Sequence, residues 1–148
     1  AQLREQILTD MVNERLLLQY AKEQGIEAKE ELIDQEYQSI ISRFESEEVF
    51  EAELASRNTT LEDVKMSLAD QFIIQDLANQ EAEKNSIAVS QEEVQQEYDA
   101  AVATGAEVPP LEEVQGQVEN FIRQKKIAQL MEALIEQLRT EAEIETLI

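Results

Sequence analysis

Apolar side chains recur along this chain at three- and four-residue intervals, the pattern of helices that each carry one greasy face. The first run sets Leu3, Ile7, Leu8, Met11, Val12, Leu16 and Leu17 at that spacing. It stops at Gly25, shortly after Lys22, as a C-terminal cap requires. From Glu30 to Phe44 the same pattern returns in Ile33, Tyr37, Ile40, Ile41 and Phe44. A short helix should follow, with Ser46 as its N-cap, Glu47 and Glu48 in its first turn, and Val49, Phe50 and Leu54 as its apolar face.

Thr59 or Thr60 is placed to cap a longer helix, with Glu62 and Asp63 complementing its dipole. Leu61, Val64, Leu68, Phe72, Ile73 and Leu77 form its stripe, which should run to about Lys84. Ile87 to Val89 reads as extended chain. Ser90 with Glu93 three residues on is a capping box that opens a helix through Val94, Tyr98 and Val102. That helix should end at Thr104 and Gly105, and residues 104–110, with Pro109 and Pro110, form the one clear linker. Pro110 fits the first turn of the last helix, where a missing N–H costs nothing. That helix holds Leu111, Val114, Val118, Phe121, Ile122, Ile127, Leu130, Met131, Leu134, Ile135 and Leu138. Running from about 110 to 140, it would span roughly 45 Å, too long for one small helix cluster to cover. The tail from Ala142 to Ile148 alternates weakly and could be a strand.

These signals predict an all-α fold of about six helices. With only 3 Gly and 2 Pro in 148 residues, there are too few turn residues for a β-rich chain. The length fits a single helical domain: N-terminal helices over 1–103, a linker at 104–110, and a long C-terminal helix with its tail over 111–148.

Charge narrows the function. Against 33 acids stand 12 bases, a formal net of −21, so phosphate backbones and anionic headgroups are repelled and nucleic acid is not expected as a partner. Cationic polypeptide would be attracted, though solubility alone is an equally good reason for such a surface. From Glu81 to Ile122 ten acids face Lys84 alone. Arg123, Lys125 and Lys126 then form a basic cluster suited to pairing with acids on a neighbouring helix.

Candidate chemistry is sparse. The chain has no His and no Cys, which removes His-dependent nucleophile systems and most zinc sites. The pairs Glu92–Glu93 and Glu112–Glu113 diverge by about 100° on a helix, and Glu93–Glu97 shares a face without a Glu-x-x-His partner. No Gly-rich phosphate loop or EF-hand loop is present. Asn58-Thr59-Thr60 matches a glycosylation acceptor, a short motif whose threonines also suit capping. An enzyme, a metal and a cofactor are therefore not expected. What remains is apolar surface: Met11, Phe44, Phe50, Leu54, Met66, Phe72, Phe121 and Met131 sit in helical stripes. Each reads either as core packing or as the lining of a groove for client peptides, which adaptable Met and flat aromatic side chains suit.

The order of segments resembles the chaperone domain of the SurA and PrsA foldase family. Val12 to Ile26 is similar to its Leu-rich opening helix ending in Ala-Lys-x-x-Gly-Ile. Phe44 to Leu54 resembles its short helix, and Thr60-Leu-Glu-Asp-Val64 with Gln71-Phe-Ile-Ile74 its next long one. Val89 to Tyr98 is similar to the segment leading into the parvulin isomerase, and Pro110 to Glu145 to the returning C-terminal helix. Between Tyr98 and Pro110, where the family inserts that isomerase, stands a short linker, so its catalytic residues have no positions here. The strand that precedes the family's first helix is not among these residues.

The resemblance implies a helical domain whose long C-terminal helix packs back on the N-terminal helices. It implies an ATP-independent holdase for unfolded or nascent exported polypeptides, extracytoplasmic, with any signal segment trimmed. The alternative is a structural or assembly protein that forms a homodimer through the long last helix.

Overall fold

The computed structural model describes residues 2–105 and 107–142. Six helices make up its regular structure: α1 (Gln2–Glu23), α2 (Glu30–Ile41), α3 (Glu47–Ser56), α4 (Leu61–Lys84), α5 (Gln91–Ala103) and α6 (Leu111–Glu141). No strand occurs among the described residues, and Ile87 to Val89 is irregular chain between α4 and α5. The strand expected in the tail falls almost wholly on residues 143–148, outside the described residues.

The helix starts are set by side chains. Ser46 accepts a hydrogen bond from the Val49 N–H at 3.3 Å. At α4 it is Thr60 that caps: its hydroxyl accepts from the Asp63 N–H, while the Asp63 carboxylate accepts from the Thr60 N–H at 2.8 Å. The Thr60 hydroxyl also donates to the Asp63 carboxylate at 2.7 Å, and this bond first, then the one from the Thr60 N–H, holds the Asp63 pKa below the usual carboxylate value. Ser90 and Glu93 form the full reciprocal box at α5. Pro110 lies one position outside its expected place: with φ −51° and ψ 142° it is the N-cap of α6 rather than part of its first turn.

Three helix ends, those of α1, α3 and α4, share one backbone device. At α1 the Ile26 N–H reaches back to the Ala21 carbonyl and the Gly25 N–H to Lys22, with Gly25 at φ +75°. This is the Schellman arrangement, in which a left-handed residue turns the chain back over the last carbonyls. Asn58 (φ +53°) repeats it after α3 and Ser86 (φ +51°) after α4. The second helix ends at Ile41, three residues earlier than its apolar pattern suggested. Phe44 instead sits in the turn that follows, its N–H bonded to the Ile41 carbonyl, and its ring still reaches the core.

The chain divides into two compact units, Ala1–Leu77 and Ala78–Ile148, with the boundary inside α4. In the first unit Tyr37, Phe50 and Leu68 form a buried cluster that joins α2, α3 and α4. The Phe50 ring meets Tyr37 edge-on at 6.1 Å and Phe44 tilted at 4.9 Å, offset geometries that aromatic quadrupoles favour. Ile40, Leu54, Val64 and Phe72 pack around it. On the rim, Lys65 of α4 donates to Asp34 of α2 at 2.7 Å and lies 5.0 Å above the Tyr37 ring. The hydrogen bond to Asp34 is the main cause that raises the Lys65 pKa.

The second unit contains an antiparallel pair, α5 against α6. Val94 and Ile122 are buried in it, and Tyr98 donates its hydroxyl to the Pro109 carbonyl at 2.9 Å, closing the hairpin. The basic cluster pairs with the neighbouring helix as its sequence position suggested. Lys126 contacts Glu93 at 2.7 Å and Lys125 contacts Glu97 at 3.7 Å. At about 46 Å, α6 extends well beyond the roughly 20 Å of α5.

Candidate functional site: an apolar cleft and its approach along α1

Three helices of the first unit leave an open cleft of about 740 Å³ between them. Its floor is Leu18 of α1, Ile26 from the turn after α1, Ile33 of α2, and Ala69 and Ile73 of α4. Arg15 and Lys22 stand on one bank, with Glu27 and Asp70 also at the edge. The Schellman turn at Gly25 matters here, because it folds Ile26 back over Ala21 and so supplies the one fully buried floor residue.

Beyond Arg15, where the cleft ends, α1 carries further exposed apolar side chains. On α1 the residues Leu3, Ile7, Met11, Leu18 and Lys22 follow at helical spacing and share one face. Leu3, Ile7 and Met11 are 75, 50 and 60 % exposed. From Leu3 to Lys22 this face is about 28 Å long, the length of roughly eight residues of extended peptide. The exposed Leu3, Ile7 and Met11 form one apolar stripe, which Glu14 and Arg15 separate from Leu18 and the cleft.

The eight apolar candidates separate by place. Phe50 is buried in the first-unit core at 3 % exposure, with Phe44, Leu54 and Phe72 half-buried around it. Met11 lies on the α1 track. Met66 faces solvent on α4, and Met131 is half-buried on α6. Phe121 is 56 % exposed on α6, in the second unit. The structure therefore brings four of them together in one core and disperses the other four.

Two signals in the sequence point to the cleft floor beyond the stripe residues Ile33 and Ile73. Leu18 extends the Leu16-Leu17 pair beyond the width of one buried face, and Phe72-Ile73-Ile74 is likewise wider than one stripe. Apolar residues to spare at the edge of a stripe line a second surface.

Among the described residues no group of acids could hold a metal ion, and no helix is long and apolar enough to cross a membrane.

The architecture is thus a helical, groove-bearing one without a built catalytic constellation among the described residues. The family model for the SurA-like N-terminal domain matches residues 1–78, slightly more than half of the chain, and the chain belongs to that chaperone-related family. The match ends where the first compact unit ends. No parvulin isomerase module stands between α5 and α6, which residues 104–110 alone separate. No curated protein and no solved structure matches the chain.

Proposed function

We propose that this protein is a non-enzymatic, ATP-independent chaperone that holds unfolded or nascent exported polypeptides outside the cytoplasm. The single observation that carries the reading is the apolar cleft of α1, α2 and α4, with the exposed Leu3, Ile7 and Met11 on the same face of α1 beyond Glu14 and Arg15. Membership of the SurA-like family supports the same reading and its extracytoplasmic setting.

Extended client chain lies along α1 and places two or three apolar side chains on the track and in the cleft. Each contributes about 1.5–3 kcal/mol by burial, offset by the cost of ordering the client. The balance is micromolar or weaker affinity, about −8 kcal/mol or less, which suits binding that must later let go. The net charge of −21 keeps complexes from coaggregating, because any two of them repel. The same repulsion opposes a homodimer, the alternative role for the long α6.

The test is suppression of aggregation of a denatured model protein at near-stoichiometric ratio. Wild type should suppress it, and Leu3→Gln/Ile7→Gln/Met11→Gln should lose most of the effect with unchanged helicity and thermal midpoint. No suppression across several clients, or an undiminished triple variant, would overturn the reading. A mass that rises with concentration, without affinity for unfolded peptide, would favour the assembly role.

A further inference from the structure

The second unit, which the family model does not cover, has a groove of its own. Between α5 and α6, on the side toward their connecting turn, Tyr98, Ala101, Val118 and Phe121 line an open and mostly apolar groove of about 320 Å³, with Glu97 and Gln117 at its edge. Phe121 is more than half exposed there, and Val102, one residue beyond Ala101, is also exposed. The Tyr98 hydroxyl is held by the Pro109 carbonyl, so its ring is a fixed wall rather than a swinging one. The volume accommodates one large apolar side chain.

Charge decides what kind of chain could bring that side chain. From Glu97 to Ile122 the hairpin carries six acids (Glu97, Asp99, Glu107, Glu112, Glu113 and Glu119) and no base. The nearest lysines are already engaged, Lys125 with Glu97 and Lys126 with Glu93. Arg123 two residues after Phe121 and Glu119 two residues before it each lie about 200° around the helix and so away from the groove, and the remaining acids set its charge. An anionic partner, an anionic membrane or a second copy of this chain meets repulsion; a cationic segment meets attraction at every approach.

We propose that the groove lined by Tyr98, Ala101, Val118 and Phe121 binds a cationic polypeptide segment through one large apolar side chain. Lysines or arginines flanking that side chain lie over the acids of the α5–α6 turn. This site is separate from the α1 track, and it does not depend on the chaperone reading of the first unit.

The test uses the full chain and a labelled, unstructured peptide of about fourteen residues with several lysines around a central Leu-Phe pair, followed by fluorescence anisotropy. Two control peptides replace the lysines by glutamates, or the Leu-Phe pair by serines. Wild type should bind the cationic peptide and weaken between about 20 and 200 mM salt, as screened attraction does. Phe121→Ser, at a position already open to solvent, should weaken binding about five- to tenfold, in line with loss of an aromatic anchor. Glu97→Gln/Glu107→Gln/Glu113→Gln should weaken it and flatten the salt dependence, while Leu3→Gln/Ile7→Gln/Met11→Gln should leave it unchanged. Equal binding of the glutamate peptide, no loss with the serine peptide, or indifference to Phe121→Ser would overturn the proposal. So would loss in the α1 variant, which would put the peptide on the first unit. Self-association abolished by Phe121→Ser, or binding to anionic vesicles, would assign the groove to another occupant and overturn it as well.

Discussion

Lys126 of α6 holds Glu93 of α5 at 2.7 Å, and the same ammonium donates to the Ala88 carbonyl at 2.6 Å. Glu93 is also the reciprocal partner of Ser90 in the α5 capping box. One carboxylate thus fastens the start of α5 and ties it to α6. The Lys126 hydrogen bond first, and then the Ser90 N–H, hold the Glu93 pKa down at about 2.

A pH dependence follows from that carboxylate. Its folded pKa is below the unfolded value of about 4.5, so its contribution is complete above about pH 4.5 and is lost as pH falls toward 2. Lowering pH also relieves repulsion among the 33 acids, which acts in the opposite direction. The difference between wild type and Lys126→Met isolates the pair. In thermal unfolding, the stability advantage of wild type should be constant above pH 5 and should shrink between pH 4.5 and 2. An advantage that persists undiminished at pH 2 would contradict this role for Glu93.

The Schellman turns respond oppositely to glycine at two sites. Gly25→Ala places a Cβ at φ +75° with no atom within 4 Å, so its cost is backbone strain alone, about 1 kcal/mol. Ser86 occupies the equivalent position after α4 with a side chain already present. Ser86→Gly should therefore stabilise by about 0.5–1 kcal/mol. Urea midpoints at unchanged slope measure both shifts.

Phe50 and Met66 were equal candidates by pattern and should separate sharply in stability. Phe50→Ala removes the ring that Tyr37 and Phe44 pack against and should cost about 3–5 kcal/mol. Met66→Ala, at a side chain more than half exposed, should change stability by no more than about 0.5 kcal/mol. Denaturant melts of the two variants settle the contrast.

The exposed track should also be visible in native protein. A hydrophobic dye should bind wild type and gain fluorescence, and Leu3→Gln/Ile7→Gln/Met11→Gln should remove much of that signal. A native protein that leaves the dye dark would mean these side chains are covered in solution.

Helices whose ends are marked by side-chain chemistry were legible from sequence. Ser46, Thr60 and the Ser90–Glu93 box fall where a hydroxyl must accept from an N–H two or three residues on, and that requirement leaves a local signature. Ends marked by backbone shape were legible only where glycine advertised them. Gly25 did so, whereas Asn58 and Ser86 adopt the same left-handed conformation without announcing it. Phe44 shows a different limit. Its spacing fits the α2 stripe, and it does join the core, but from a turn, because packing constrains where a ring arrives and not the backbone path to it. The choice between groove and core could not be read from periodicity at all. Phe50 and Phe121 occupy equally regular stripes, and only the number of helices around each makes one buried and the other open.

The passage of α4 through the unit boundary has a practical corollary. A fragment cut at residue 78, where both the family match and the first unit finish, would keep Leu68 and Phe72 but sever the helix seven residues before Asn85. Its last carbonyls, at residues 75–78, would lose the N–H partners of residues 79–82 and would have no closing turn like the one in which Ser86 and Ile87 bond Glu83 and Ala82 in the intact chain. Extending the fragment to Ile87 would restore that closing turn, so the useful endpoint for an isolated first half lies where the helix terminates, past where the sequence similarity does.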